Sequence, residues 1–263
     1  MKNNLTVLKI GGSIVTHKKQ HGGLNASAVL AIAKEIKSAL RKAPVKLILI
    51  HGAGGEAHKI AGKFKLKNGA IDAKAMYGAL QTHSIVSSLN KEISAIFQKE
   101  KVPIFPIQTS TCFYRQNLKL IFHNTMIIEK ALSLGMVPLL YGDMILDDQK
   151  NFSILSGDTI ATECAKKFHA DRVLFATDVD GVYKRTPQKN KMSEIIQELN
   201  RKEARKLYSI NTGASKDTTG EMYGKILSII ESKVATPVLI FNGLTPGNVK
   251  KVLLGEKIGT YIK

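Results

Sequence analysis

The sequence is poor in cysteine and in aromatic residues. Its 263 residues contain two cysteines and no tryptophan, and aromatic residues make up 6% of the chain. Cys112 and Cys164 lie far apart and match no zinc-binding spacing, so the sequence indicates neither a disulfide framework nor a cysteine-ligated metal. We therefore expect two buried free thiols.

Long apolar runs are also missing. No uninterrupted apolar stretch of the sequence approaches the ~20 residues that are needed to span a bilayer. The N-terminus lacks a charged segment followed by an apolar one, so we expect no signal peptide. These absences predict a soluble, cytoplasmic protein without a membrane partner.

Acidic residues are scarce beside basic ones. The 39 Lys and Arg residues outnumber the 21 Asp and Glu residues, which gives a formal net charge of +18. A positive field attracts phosphates and other anions, but lysines spread along the whole chain are equally typical of a solvated surface. Basic clusters interleaved with aromatic residues are missing, so we predict no nucleic-acid partner.

Three common sequence motifs of nucleotide-binding proteins are missing as well. The sequence contains no Gly-x-x-x-x-Gly-Lys-Ser/Thr loop, no Gly-x-Gly-x-x-Gly turn and no protein-kinase catalytic loop. A nucleotide would therefore have to be bound in another way.

Apolar segments that are typical of strands alternate with segments of helical periodicity. Val45–Ile50 has the near-continuous apolar pattern of a strand buried on both faces, and the apolar runs Leu5–Ile10 and Val137–Tyr141 also predict strands. Ala73–Lys99 predicts a long helix, and Cys112–Phe122 and Met144–Leu155 predict two β-hairpins. The alternation predicts an α/β fold with a largely parallel central sheet and helices on both faces.

Capping and composition predict several boundaries. Asn25 is a good N-cap for a helix over Ala26–Arg41, and Thr245 is expected to cap the last helix. The polar segments 183–191 and 211–220 are predicted loops. No clear linker divides the chain, so we expect one domain over all 263 residues.

Several predicted strands end in small or acidic residues. These ends are Gly11-Gly12-Ser13, Gly52-Ala53-Gly54-Gly55, Gly142-Asp143 and Thr177-Asp178. In an open α/β sheet, ligands bind beyond the carboxyl ends of the strands, so these turns are expected to share one cleft. Glycine lets backbone N–H groups approach phosphate oxygens, and helix N-termini favour anions. With lysines at positions 9 and 18 beside the first turn, we interpret this edge as a phosphoryl-transfer site.

Motifs spread over almost the whole chain resemble the amino acid kinase family. They are Lys9–Ser13, Ser156–Asp158, Thr177–Val182 and Thr219–Lys225, and they occur in the family's order. The resemblance implies a three-layer αβα sandwich of the carbamate kinase-like type and a homodimer.

The resemblance also implies two lobes within the single domain. An acceptor-binding lobe would cover about residues 1–170 and a nucleotide-binding lobe about residues 171–263, with a soft boundary near residues 170–180.

The family's catalytic residues match charged residues of this chain. Lys9 and Lys225 would lie on opposite sides of the transferring group, and Asp158 would orient both by charge-assisted hydrogen bonds. Lys18 would reach the γ-phosphate, and His58 would donate to the acceptor. Mg²⁺ would bridge the phosphates of ATP without a direct protein ligand.

The remaining expected contacts come mainly from the turns. The residues expected at ATP are Lys9, Gly11, Gly12, Ser13, Gly54, Thr177, Asp178, Gly181, Glu221 and Lys225. The residues expected at the acceptor are Ala53, Gly54, Gly55, His58 and Gly157.

The turn from His51 to His58, called the acceptor turn below, is the part of the sequence that should determine which acceptor is phosphorylated. It resembles the turn of the isopentenyl phosphate kinases within the family, from which it departs at Ala53, Glu56 and Ala57. Phosphorylation of isopentenyl phosphate is therefore the expected reaction. Fosfomycin or another small anion is the alternative acceptor, and a nucleotide-binding protein without catalysis is the alternative of another class.

An isopentenyl tail would need an apolar pocket. Met76, Tyr77, Leu80 and Ile85 of the predicted long helix could line it, or could be ordinary core residues.

Overall fold

The computed structural model describes residues 4–17, 22–184, 194–211 and 219–263, with the backbone alone at 207–211, 219–221 and 223. In chain order the strands are β1 (Leu5–Ile10), β2 (Lys46–His51), β3 (Ile104–Pro106), β4 (Phe113–Gln116), β5 (Lys119–Phe122), β6 (Val137–Tyr141), β7 (Asp143–Asp147), β8 (Asn151–Leu155), β9 (Arg172–Thr177), β10 (Glu198–Leu199), β11 (Val238–Asn242) and β12 (Thr260–Ile262). The α-helices are α1 (Gly12–Val15), α2 (Ala26–Lys42), α3 (Gly54–Lys63), α4 (Ala73–Lys99), α5 (Met126–Ser133), α6 (Gly157–Lys167), α7 (Arg201–Asn211), α8 (Thr219–Glu231) and α9 (Asn248–Leu253).

The central sheet has eight strands in the order β10-β12-β11-β9-β1-β2-β6-β3. Every neighbouring pair is parallel except β11 and β12. The register places the carboxyl ends of adjacent strands side by side, so Ile10 lies between His51 and Ala176. The predicted largely parallel sheet is confirmed.

Helices cover both faces of this sheet. Alternate residues of β1 point to opposite faces: Leu5 and Val7 join a core with α6 and α8, whereas Leu8 and Ile10 join a core with α2 and α4. The arrangement is the expected three-layer αβα sandwich.

The two predicted hairpins form a second, smaller sheet. Strands β4 and β5 pair antiparallel, as do β7 and β8, and the four strands have the order β5-β4-β7-β8. The structure also confirms both cysteines as buried free thiols. Within the described ranges, no helix combines the length and the apolar character needed to cross a membrane.

The last helix begins later than its sequence predicts. Gly247, with φ +87°, is the N-cap of α9, and Thr245 instead accepts a hydrogen bond from Asn248 in the preceding turn. The carboxylate of Glu35, on α2, accepts from the backbone N–H groups of Gly247 and Lys250 at 2.7 and 3.0 Å. Thr245 therefore does not cap this helix. The side-chain acceptor for its first N–H groups is Glu35, which is distant in sequence.

Some predictions remain untested by the structure. Most of the predicted loop 183–191 and of the predicted loop 211–220 lies outside the described residues. The division into two lobes also stays a prediction. Strand β1 of the expected acceptor-binding lobe pairs directly with β9 of the expected nucleotide-binding lobe.

The contact between the first two glycine turns yields a test of stability. A Cβ atom at Gly52 would lie 2.5 Å from the backbone nitrogen of Gly12, whereas one at Gly62, on α3, would meet nothing within 4 Å. Gly52→Ala should therefore lower the free energy of unfolding by about 1–3 kcal/mol in urea titrations. The matched variant Gly62→Ala should raise it by about 0.5–1 kcal/mol. Equal changes in the free energy of unfolding for the two variants would contradict the close contact between Gly52 and Gly12.

Candidate active site

The four small or acidic strand ends lie together at the carboxyl edge of the sheet. They follow β9, β1, β2 and β6, which are consecutive neighbours in the sheet. Ligand sites of open α/β sheets occupy this edge. The structure thus brings together the turns that the sequence singled out.

The turns after β1 and β2 touch through their backbones. A Cβ atom at Gly12 would lie 3.1 Å from the nitrogen of Gly54, and Gly54 has φ +79°, a conformation that favours glycine. The hydroxyl of Thr16 donates to the carbonyl of Gly12 at 2.9 Å and accepts from the N–H of Gly55 at 3.1 Å. Thr16, which the sequence did not single out, therefore joins the two turns.

The charged centre is one carboxylate between two ammonium groups. Asp158 lies 2.9 Å from Nζ of Lys9 and 2.8 Å from Nζ of Lys225. The two lysine side chains are 8% and 10% exposed, and that of Asp158 is 18% exposed. The three residues that the sequence placed together are thus in direct contact, although they come from β1, α6 and α8.

Local structure explains how this centre is held. Ser156 is the N-cap of α6, and its hydroxyl accepts from the N–H of Thr159 at 3.1 Å, which fixes Asp158 in the first turn. Gly157 packs tightly here, since a Cβ atom at this position would lie 3.2 Å from Cε of Lys9. Nζ of Lys225 lies 5.2 Å from the ring centre of Phe175.

The ion pairs set the charges of the centre. Burial alone would raise the pKa of Asp158, but the attraction of Lys225 and Lys9 outweighs it and holds the pKa far below its usual value. Burial lowers the pKa of Lys225 to about 8, against the opposing attraction of Asp158. The centre therefore carries a net positive charge that suits a phosphoryl group.

The expected nucleotide residues line the neighbouring turn. The hydroxyl of Ser13 donates to Asp178 at 3.0 Å, which links the turns after β1 and β9. The hydroxyl of Thr177 is directed at the carbonyls of Val179 and Phe241, so it shapes its own loop. Gly181 is buried in the same loop. Their contacts with ATP stay predictions.

The expected acceptor residues surround the start of α3. Ala53 is the N-cap of this helix, and Gly54 and Gly55 form its first turn. A Cβ atom at Gly157 would lie 3.2 Å from the carbonyl oxygen of His51, so α6 also approaches this turn closely. His58 lies one turn further along α3 with an exposed side chain.

Two expected site residues cannot be placed. Lys18 lies outside the described residues, and only the backbone of Glu221 is described, in α8. Glu56, by contrast, is exposed in the first turn of α3, where a carboxylate suits the helix dipole.

The candidate tail-binding residues differ in exposure. Tyr77 and Leu80 are 59% and 52% exposed, so they are not core residues. Met76 and Ile85 are half-buried, and Ile85 packs beside Ala57 of the acceptor turn. Of the four residues, Ile85 is therefore the one that the structure places beside the acceptor turn.

A polar stripe on α4 is the feature that the sequence analysis missed. It consists of His83, Ser87 and Asn90, which bond to Asp143, Tyr141 and His51 at the strand ends. The spacing of three and four residues on an apolar helix was a usable signal. The partners, however, become apparent only in the folded chain.

Within this stripe, His83 forms an ion pair with a buried carboxylate. Its Nδ1 lies 2.7 Å from Oδ1 of Asp143, whose side chain is fully buried. Oδ2 of Asp143 has no hydrogen-bond partner among the described residues, which leaves His83 to balance the charge. The hydrogen bond to Asp143 raises the pKa of His83 above its usual value.

Comparison with known proteins gives consistent matches over the whole length. A model of the amino acid kinase family matches residues 4–242. The isopentenyl phosphate kinase of Methanothermobacter thermautotrophicus is 32% identical, and that of Methanocaldococcus jannaschii is 35% identical. Each match covers 98% of this chain and 98% of the relative.

Solved structures agree with these matches. A structure described as isopentenyl phosphate kinase superposes with a TM-score of 0.82 at 28% identity, over 98% of this chain and all of the other. UMP kinase from Bacillus anthracis superposes with a TM-score of 0.69 at 16% identity, over 100% of this chain and 97% of that one, which shows the shared fold alone.

The His83–Asp143 pair predicts a pH-dependent stability. A histidine whose pKa is raised by folding stabilises the protein fully below its unfolded pKa, and this contribution is lost as the pH rises through the folded pKa. His83→Gln should therefore lower the free energy of unfolding by about 1–2 kcal/mol at pH 6 and by clearly less at pH 9.

Urea titrations at both pH values measure this difference. His169→Asn changes an exposed histidine that has φ +50°, a conformation that asparagine tolerates, and serves as the matched control. A loss on His83→Gln that is equal at pH 6 and pH 9 would show that the ion pair does not contribute.

Proposed function

Since this chain belongs to the amino acid kinase family, we propose that it transfers the γ-phosphoryl group of ATP to isopentenyl phosphate. The products are ADP and isopentenyl diphosphate, an isoprenoid precursor. The full-length similarity to isopentenyl phosphate kinases from two organisms supports this acceptor. The observation that carries the chemistry is the contact of Asp158 with Lys9 and Lys225.

The charged centre suits direct in-line phosphoryl transfer. The transferring group passes through a loose transition state with negative charge on its equatorial oxygens, so positioning and cationic stabilisation dominate catalysis. Lys9 and Lys225 approach from two different elements and can contact different oxygens of this group. Asp158 keeps both ammonium groups at a fixed separation. The acceptor is already an anionic phosphate, so the step requires no strong general base.

The start of α3 supplies the acceptor site. Backbone N–H groups at the N-terminus of a helix bind phosphate oxygens, and glycine at positions 54 and 55 allows a close approach. His58 adds a donor from the exposed side of the same helix, and Gly157 lines the side towards Lys9. The exposed Tyr77 and Leu80 offer apolar contact to the tail.

ATP would lie between the first turn and the loop after β9. Gly11, Gly12 and Ser13 would contact its phosphates, and Lys18 would reach the γ-phosphate. Thr177, Asp178, Gly181 and Glu221 would face the remainder of the nucleotide. Mg²⁺ would bridge phosphate oxygens, a mode that needs no cluster of protein ligands.

The cellular context follows from the family. We expect a cytoplasmic homodimer whose partners are ATP and a small phosphate acceptor, with no nucleic acid or membrane partner. The lobe over about residues 1–170 would bind the acceptor, and that over about residues 171–263 would bind the nucleotide.

Two alternatives are weaker. None of the relatives described above is a fosfomycin kinase, so that acceptor has no support from them. A nucleotide-binding protein without catalysis would not need Lys9, Asp158 and Lys225 in direct contact at the glycine turns.

A screen of acceptors tests the proposed reaction. ADP release should be measured with isopentenyl phosphate, dimethylallyl phosphate, fosfomycin, glutamate, carbamate and UMP. We expect kcat/KM for isopentenyl phosphate to exceed that for fosfomycin by about 100-fold or more. Lys225→Met should lower kcat by about 100-fold or more, since it removes a transition-state cation.

Each other result has a distinct meaning. Turnover of another acceptor with isopentenyl phosphate inert would reject the isoprenoid reaction and keep the kinase. No turnover with any acceptor would favour the non-catalytic alternative. Unchanged turnover in Lys225→Met would reject the assignment of the site.

The pKa of Lys225 predicts an alkaline limit to activity. Because Lys225 must be charged and its pKa is about 8 in the free protein, kcat/KM for ATP should fall above that pH. The expected fall is roughly tenfold per pH unit, and both substrates are already fully ionised there. Lys225→Arg should move the fall to higher pH, since guanidinium keeps its charge. A wild-type profile that stays flat to pH 10 would contradict this role.

A further inference from the structure

His51 is a buried titratable residue that the proposed chemistry does not use. It is the last residue of β2, is 0% exposed, and immediately precedes the acceptor turn. Its backbone carbonyl accepts from the N–H of Gly142 at 3.1 Å and closely approaches Gly157. The backbone of His51 therefore lies where three turns of the site meet.

The imidazole ring of His51 is held on three sides. Its Nδ1 lies 2.9 Å from the carbonyl oxygen of Gly52, and its Nε2 lies 3.2 Å from Oδ1 of the side-chain amide of Asn90. The ring stacks on Tyr141 with centroids 5.4 Å apart and planes 14° apart. Asn90 is itself 7% exposed, so the side chains of His51 and Asn90 are both shielded from solvent.

The charge state of this ring follows from its surroundings. Burial, together with the nearby cation Lys9 on β1, lowers the pKa of His51 to about 4, against the opposing effect of the hydrogen bonds to Gly52 and Asn90. The ring is therefore neutral near pH 7 and carries one N–H only. That N–H must lie on Nδ1, because the carbonyl of Gly52 can only accept. Nε2 of the neutral ring must then accept a hydrogen bond, so we assign the side-chain amide of Asn90 with its NH₂ group, and not its oxygen, towards the ring.

The consequence concerns the contact between the two turns. Gly52 and Gly12 are packed so closely that a Cβ atom at Gly52 would lie 2.5 Å from the nitrogen of Gly12. A small rotation of the peptide after Gly52 would separate the acceptor turn from the turn Gly11–Ser13, called the phosphate turn below, or make the two turns clash. The hydrogen bond from Nδ1 of His51 fixes the orientation of that peptide.

We propose that Asn90 and His51 are positioning residues that keep the acceptor turn aligned with the phosphate turn. Asn90 holds the ring of His51 in the Nδ1–H tautomer, and the ring in turn holds the carbonyl of Gly52. The inference rests on the proposed function, because it takes the turn after β2 as the acceptor site. Neither residue touches the reacting atoms.

Asn90→Asp gives a nearly isosteric test. A carboxylate can only accept, so it would hold a proton on Nε2, and the neutral ring would then have no N–H on Nδ1 for the carbonyl of Gly52. We expect KM for isopentenyl phosphate to rise about tenfold or more at a pH where the ring of this variant is neutral, with KM for ATP within about twofold of wild type. The defect should lessen as the pH falls and Nδ1 regains its proton, a response that a purely structural role would not produce.

¹⁵N NMR of the histidine ring gives a second readout that needs no substrate. Wild type should show the neutral Nδ1–H tautomer of His51 at pH 7, and Asn90→Asp should show a ring that keeps its proton on Nε2 when it becomes neutral. Ser94→Ala is the matched control, because Ser94 is also buried on α4 but bonds only to the backbone carbonyl of Asn90. It should leave both the tautomer and KM for the acceptor unchanged.

The outcomes separate this inference from the proposed function. A wild-type ring with its proton on Nε2, or charged at pH 7, would overturn the inference even if Asn90→Asp fails to fold. An unchanged acceptor KM in a variant whose neutral ring carries its proton on Nε2 would overturn it as well. If wild type phosphorylates a different acceptor, the proposed function fails, and the same KM comparison is made with that acceptor.

Discussion

The contact of one carboxylate with two ammonium groups is the interaction on which the site depends. Lys9, Asp158 and Lys225 come from a central strand and two helices that are far apart in sequence. Two buried lysines this close would repel each other without Asp158, and a buried carboxylate would be costly without them. The central place of β1 and the packing of α6 and α8 on one face of the sheet are what bring these charges together.

Close backbone packing is the second constraint, and it explains the positions of the glycines. The phosphate turn and the acceptor turn touch without side chains between them, and Gly157 leaves room for the side chain of Lys9. Direct transfer between two bound phosphates requires this proximity, because the reacting atoms must be almost in contact. Under the proposed function, the glycines that let anions approach the backbone would also set the distance between donor and acceptor.

The sequence predicted what depends on local pattern and failed where distant residues decide. Both hairpins, the parallel sheet and the helix over 73–99 follow from apolar periodicity and turn residues. The start of α9 could not be predicted, because Glu35 caps it from another helix. The contacts of Asp158 were expected only through family resemblance. The bonds of α4 to the strand ends escaped, since a histidine or asparagine on a helix does not reveal its partner.

Three histidines near the acceptor turn show how burial gives one residue type different roles. His51 is buried without a carboxylate, so its pKa falls and it serves as a neutral ring with one donor. His83 contacts a buried carboxylate, so its pKa rises and its charge offsets that of Asp143. His58 is exposed at the mouth of the turn, where it can meet a ligand. The acceptor side thus contains a neutral, a paired and an accessible imidazole. If this turn binds the acceptor as proposed, selectivity for one small anion over another would depend on the turn and on the α4 side chains bonded to the strand ends beside it, since the charged centre would serve any phosphoryl acceptor.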